Sequence, residues 1–339
     1  LCYKKQNMRT KNLSVTRLKD ANIYPKVKSV LTKYKKNNSF VVGVSGGPDS
    51  LALSALVKVI AQEKKYKFFF AMVDHGIRRN SGKEASQVKK LLSKHDINLE
   101  ILKNRKKIIN NIQKKARDVR YQLLESFCKK KKAKSLLVAH HQDDQIETFL
   151  IRLSRGSGVE GLSSMQEMTV LKSGIGLIRP LLEFKKTQLN SIAKKTFGKI
   201  FKDPSNKNKK FLRTNIRTLK RNLINKGIDL EKIIRSIKNI ASTKEAMDFY
   251  VAKSMKKFVK FGKKSTILNL KQFSKEPQEI RFRIINDIVK KRSNSYYPPK
   301  SKKVLNLISR FENRNVTKCT LGGCIFERKK SFLYVSKEF

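Results

Sequence analysis

Ser39-Phe40-Val41-Val42-Gly43-Val44-Ser45-Gly46-Gly47-Pro48-Asp49-Ser50 joins a valine-rich run to a glycine-rich turn. Its first six residues read as a short strand buried on both faces. The apolar stretch from Leu51 to Ala61 that follows has the length of a helix. Strand, glycine turn and helix together suit a phosphate. Glycines let the backbone come close to the anion, and the helix start offers unpaired N–H groups and the positive end of its dipole. Ser45 and Ser50 can add hydroxyl donors, while Asp49 can hold magnesium or cap the helix. A plain strand-to-helix turn with Ser50 as cap is the structural alternative. The Gly-Lys-Ser/Thr ending of a Walker loop is missing, so γ-phosphate transfer is not the first expectation.

On either side of this turn, strands alternate with helices. Lys67 to Val73, Asn98 to Leu102 and Ser135 to Ala139 read as further buried strands. Gly82 to His95, Ile108 to Lys130 and about Asp143 to Leu153 have helical spacing. The pattern predicts an α/β fold with a mostly parallel, doubly wound sheet. Beyond Gly161 the spacing predicts a hairpin over Met165 to Leu171 and Gly176 to Ile178, then helices over Lys185 to Phe197 and Phe211 to about Leu223. A polar loop, Lys202 to Lys210, lies between those helices. A boundary near Lys226-Gly227 separates residues 1–227 from a smaller, mainly helical region, 228–339, ending in short strands around a Gly322-Gly323 turn.

A second chemical cluster follows the fourth strand. If the helix reaches back to His140, then His140, Asp144 and Glu147 lie at about 0°, 40° and −20° on one face. That places them at the carboxyl edge of the sheet, where open α/β folds bind ligands. Acids that merely complement a helix dipole, or a transition-metal site, are the competing readings.

Lys plus Arg total 79 against 26 Asp plus Glu, a formal net charge of +53 over 339 residues. AT-rich coding explains Lys in place of Arg but not the shortage of acids. So large a cation excess repels itself unless a polyanion shares it, making nucleic acid the first expected partner and an anionic membrane surface the second. No apolar run approaches about 18 residues, so no membrane span is expected. The basic stretch Leu1 to Lys28 lacks the apolar core of a signal peptide. The scattered Cys2, Cys128, Cys319 and Cys324 suit a reducing cytoplasm.

The Ser-Gly-Gly-x-Asp-Ser turn resembles the pyrophosphate loop (PP-loop) of the N-type ATP pyrophosphatases, with their adenine nucleotide α-hydrolase-like sheet. Within that group the chain resembles the tRNA(Ile)-lysidine synthetase family. The similarity lies in Val73-Asp74-His75-Gly76-Ile77-Arg78, Ala116-Arg117-Asp118-Val119-Arg120-Tyr121 and the run from Ala139 through His140, Asp144 and Glu147 to Thr148. It continues in Arg155-Gly156-Ser157-Gly158, Arg179-Pro180-Leu181-Leu182 and Asp203-Pro204-Ser205-Asn206, followed by Arg213 and Arg217.

This resemblance implies that ATP, with Mg2+, adenylates a cytidine in the CAU anticodon of tRNA(Ile), and that L-lysine then displaces AMP. It assigns ATP binding to Ser45, Gly46, Gly47, Pro48, Asp49, Ser50 and His75. Catalysis falls to Asp49, Arg120, His140, Asp144 and Glu147, and the tRNA to Arg213 and Arg217. It implies no dedicated metal site and a tRNA-binding role for residues 228–339. The oligomeric state is left open, a homodimer being one option.

Three other functions compete. A tRNA 2-thiolation enzyme of the same loop family would need paired reactive cysteines, and only Cys128 lies near the expected sheet. Small-molecule amidating pyrophosphatases do not account for the charge. A non-catalytic RNA-binding protein does not account for the loop and the acidic cluster.

Overall fold

The strand at Ser39–Val44 forms as the valines predict and lies inside a six-stranded sheet. The structure is a computed structural model describing residues 22–77, 80–105, 108, 111–201, 212–293, 299–312 and 317–338. Arg78, the Asp203-Pro204-Ser205-Asn206 segment, Phe211 and Cys2 lie outside the described residues. The chain divides into two compact units, residues 1–237 and 238–339.

Unit 1 runs α1 (Ile23–Tyr34), β1 (Ser39–Val44), α2 (Pro48–Glu63), β2 (Lys67–Asp74), α3 (Ser81–Ser93), β3 (Leu99–Lys103) and α4 (Ile112–Lys130). It continues with β4 (Ser135–Leu137), α5 (Gln142–Leu153), α6 (Val159–Leu162), β5 (Met168–Val170), β6 (Gly176–Ile178), α7 (Lys186–Phe197) and α8 (Leu212–Asn225). The division between the units falls within α9 (Leu230–Phe258). Strand order is β3-β2-β1-β4-β6-β5, all parallel except β5, which pairs antiparallel with β6 as the expected hairpin.

Period-two alternation sends the buried residues of β1 to both faces. Phe40 and Val42 pack with α1, α2 and α7 through Leu31, Leu56 and Leu189. Val41 packs the other way, with Leu124, Phe127 and Cys128 of α4. Helices on both faces complete the doubly wound arrangement. Burying side chains such as Leu51, Leu53 and Leu56 contributes about 1.5–3 kcal/mol each, which gives the phosphate turn a rigid support.

Three boundaries differ from the sequence reading. α4 begins at Ile112 rather than Ile108, and β5 at Met168 rather than Met165. The Met165 N–H and carbonyl instead bond the Gln145 side chain at 2.8 and 2.7 Å, holding the chain off the sheet. β4 stops at Leu137 rather than Ala139, whereas α5 starts at Gln142, within a residue of the expected Asp143.

Unit 2 is mainly helical and ends in short strands, as expected, and adds two strands ahead of its second long helix. β7 (Val259–Phe261), β8 (Ser265–Asn269), the short α10 (Leu270–Phe273), α11 (Gln278–Ser293), α12 (Ser301–Glu312), β9 (Lys318–Leu321), β10 (Cys324–Lys329) and β11 (Phe332–Lys337) follow α9. The five strands form an antiparallel sheet, β7-β8-β11-β10-β9. Leu268, Phe326 and Val335 on one sheet face pack with Ile284, Ile288, Val304 and Ile308. Among the described residues, no helix is long and apolar enough to cross a membrane.

Candidate functional site

After β1 the chain moves outward through β2 to β3, then returns to place β4 on the other side of β1. The carboxyl ends of β1 and β4 therefore flank the crevice where an open α/β sheet binds ligands. The turn Ser45 to Ser50 leaves β1 at this crevice, and Val138 to His141 leaves β4 there.

Within the turn, Gly47 is the N-cap of α2 and Pro48 its first residue. A proline there loses no helical bond, and the amides of the first turn keep their donors for an anion. Gly46 has φ +80°, and a Cβ on it would stand 2.7 Å from Val88 Cγ2 of α3. Dihedral and packing both demand glycine at this position. The Ser50 hydroxyl is engaged inside the turn. It donates to the Gly47 carbonyl at 2.9 Å and accepts from the Ser45 N–H at 3.1 Å and the Ser45 hydroxyl at 3.2 Å. Ser50 thus shapes the turn from within, together with the Ser45 N–H and hydroxyl. Asp49 lies in the first helical turn, and its buried Oδ1 has no hydrogen-bond partner among the described residues.

The helical-face expectation for His140 is corrected. His141 is the N-cap of α5, so His140 belongs to the extended link after β4 and only Asp144 and Glu147 lie on the helix. The link nevertheless delivers His140 to the same site, close enough to Asp144 for the two to influence each other's protonation. Burial lowers the His140 pKa to about 3, against the pull of Asp144 and with help from Arg179, Arg117 and Arg213. His140 is neutral at pH 7.

Burial works against the Asp144 charge, but His141, its backbone N–H and Arg213 outweigh it and lower its pKa. Asp144 is therefore a held carboxylate. Sequence reasoning passed over His141, which is 3% exposed. Its Nε2 lies 3.6 Å from Asp49 Oδ2 and 3.6 Å from Asp144 Oδ2, so it touches both halves of the site. Burial opposes its charging, yet the nearby carboxylates of Asp49, Asp144 and Asp143 raise its pKa overall. Nothing in the His-His pair itself distinguishes the two rings; their difference comes from where the helix begins.

α8 meets the acidic face of α5 with three cations. Arg217 Nε donates to Glu147 Oε1 at 2.7 Å, Lys220 pairs with Asp143, and Arg213 acts on Asp144 and His140. Asp143 Oδ2 also accepts the Lys186 N–H at 3.2 Å at the start of α7, which ties Asp143 into the scaffold. Glu147 is 3% exposed, and its second oxygen, Oε2, has no partner among the described residues.

His75, just past β2, is half-buried, and its pKa is lowered by burial first and then by Arg120. Arg120 thus lies by His75, whereas Arg117 sits over the Tyr121 ring at 5.0 Å and acts on His140. The two arginines, three residues apart on α4, thus act on different histidines. Arg179 NH1 donates to the Gln166 carbonyl at 2.7 Å and to Thr169 Oγ1 at 3.0 Å, placing another positive charge behind His140.

The family model of the PP-loop domain matches residues 19–224. The tRNA(Ile)-lysidine synthase of Wolbachia pipientis wMel is 36% identical over 310 residues, covering 89% of this chain and 71% of the relative. That of the Wolbachia of Brugia malayi (strain TRS) is 32% identical over 307 residues, with the same two coverages. Among solved structures, the U34-tRNA thiolase NcsA from Methanococcus maripaludis shares the fold, with a TM-score of 0.54 at 19% identity over 65% of this chain and 78% of that one. The glycine turn, the switch-point cluster and these relatives agree: the chain belongs to the PP-loop family and, within it, to the tRNA(Ile)-lysidine synthases.

Proposed function

We propose that this chain is a ligase that uses ATP to adenylate a cytidine in the CAU anticodon of tRNA(Ile) and then joins L-lysine to C2 of that base. The observation that carries this reading is the meeting of a phosphate turn with the His140, Asp144 and Glu147 cluster at one switch point. The family supports it. In the first step cytidine O2 attacks the α phosphate and pyrophosphate leaves, its charge held by the turn amides and the dipole of α2. Arg120 and the neutral His75 line the nucleotide side. Magnesium accompanying ATP fits Asp49, whose buried Oδ1 lacks a hydrogen-bond partner among the described residues, and would neutralise phosphate charge there.

In the second step the lysine amine attacks C2, and the C2–O2 bond breaks with AMP as leaving group. A free lysine amine has a pKa near 10.4, so its neutral form lies about 4–5 kcal/mol uphill at pH 7. Asp144, held charged, orients the ammonium. Glu147 Oε2 is a buried acceptor without a hydrogen-bond partner among the described residues and takes the proton as the C–N bond forms. Arg213 serves the RNA beside this site, and residues 228–339 bind the remainder of the tRNA. The reaction belongs to the cytoplasm.

The test is to incubate the protein with a CAU-anticodon tRNA(Ile) transcript, ATP and labelled lysine, following both pyrophosphate and label. Pyrophosphate release should need the tRNA, and label should enter the tRNA only with ATP. Release without lysine transfer would point to another nucleophile. Glu147→Gln should slow lysine transfer while leaving adenylation largely intact; normal rates in both steps would remove Glu147 from this role.

A further inference from the structure

We propose that His141 is a positioning residue that couples the nucleotide turn to the amine site, so that ATP occupancy is felt at Asp144. The proposal rests on the function given above and adds a regulatory link within that site. His141 is fixed on three sides. It is buried, it caps α5, and its backbone N–H donates to Asp144 Oδ2 at 3.2 Å. Its ring then faces Asp49 Oδ2 and Asp144 Oδ2 with one nitrogen, Nε2, at 3.6 Å from each.

Both distances exceed a good N–H···O hydrogen bond, and one N–H cannot serve two carboxylates at once. The ring therefore has two alternative acceptors, one on the phosphate turn and one on the amine side. Neighbouring acids have other ties: Asp143 goes to Lys220 and the Lys186 N–H, and Glu147 goes to Arg217. The other ring nitrogen, Nδ1, stands 3.8 Å from Asp143 Oδ2 and makes no hydrogen bond among the described residues. Magnesium accompanying a nucleotide would engage Asp49 and so leave the Nε2–H to Asp144, locking the carboxylate that receives the lysine ammonium. Lysine bound at Asp144 would favour the nucleotide by the same factor, since linkage is reciprocal.

The experiment measures binding rather than turnover. Labelled-lysine affinity of the full chain with tRNA transcript is compared with and without α,β-methylene ATP, and analogue affinity is compared with and without lysine. Wild type should show lysine binding tightened by on the order of fivefold or more, equal in both directions. His141→Ala should bind each ligand singly yet lose the coupling to within about twofold. His141→Gln, which keeps an N–H donor, should retain part of it. If His141→Ala fails to fold, as a melting curve would reveal, His141→Asn replaces it. That side chain can still cap α5 but is too short to span Asp49 and Asp144, so it should also abolish the coupling. Equal coupling in wild type and variants, or none in wild type, overturns the proposal. Absence of any lysine binding in wild type overturns the lysine-ligase reading itself.

Discussion

Replacing Arg217 with Met should destabilise the protein through Glu147, quite apart from any effect on RNA. Met keeps the apolar stem and removes the guanidinium. The Glu147 side chain is 3% exposed and Arg217 28% exposed, with Nε and Oε1 2.7 Å apart. At an effective dielectric near 20, that separation corresponds to roughly 6 kcal/mol of attraction before desolvation is subtracted. Stripping one partner from a buried pair costs about 3–5 kcal/mol because the remaining charge is left uncompensated. The exposure of Arg217 places this pair at the lower end, about 3 kcal/mol. For a unit of this size, that lowers the melting temperature by roughly 6–12 °C.

The assay is thermal and urea denaturation, followed by circular dichroism, of wild type, Arg217→Met, Glu147→Gln and the double variant. The double variant should recover most of the loss, because a neutral glutamine does not need the cation, giving a coupling of about 2–3 kcal/mol. If Arg217→Met melted within about 1 °C of wild type and the cycle were additive to within about 0.5 kcal/mol, the buried-pair reasoning would be refuted. Weaker tRNA binding in that variant would then leave Arg217 as the RNA contact that its place in the sequence suggests.

Gly46→Ala should raise the KM for ATP at least tenfold, since φ +80° strains a side chain and the new Cβ meets Val88. Adding Val88→Ala removes the contact but not the dihedral strain, so rescue should be partial; unchanged ATP affinity in Gly46→Ala would count against the turn as the phosphate grip. His140, with a folded pKa of about 3 against 6.5 unfolded, binds fewer protons in the native state between those values. Its contribution is present above pH 6.5 and lost as pH falls below it, by at most about 1.4 kcal/mol per pH unit. Urea titrations from pH 7.5 to 5 should show His140→Asn losing less stability than wild type, and parallel losses would contradict a neutral His140. Cys128 is buried in the core, and burial first, then Glu125, pushes its thiol up to about 12. Cys128→Ala should therefore retain lysine transfer, whereas abolished transfer would favour thiol chemistry.

The local features were readable without coordinates because they depend on neighbours in sequence. The valines of β1, the glycines after it and the apolar run of α2 specify strand, turn and helix from short-range sterics and burial alone. Asp144 and Glu147 were likewise legible as one helical face. β7 and β8 were not, since these short segments lack clear alternation; β8 gains its place by pairing with β11, and β7 by pairing with β8. His140 and His141 look equivalent in the chain. Their roles separate because β4 stops at Leu137 and α5 starts at Gln142, which leaves one histidine in the link and makes the other a cap.

Chemical type was thus written in the sequence: a phosphate turn, an acidic cluster and a large excess of cations. Which groups meet was not. Asp49 reaches His141 because β1 and β4 are parallel neighbours, and Arg217 neutralises Glu147 because α8 packs on α5. Those are distances between segments far apart in the chain, set by the sheet order and helix packing that minimise exposed apolar surface. No local pattern records them.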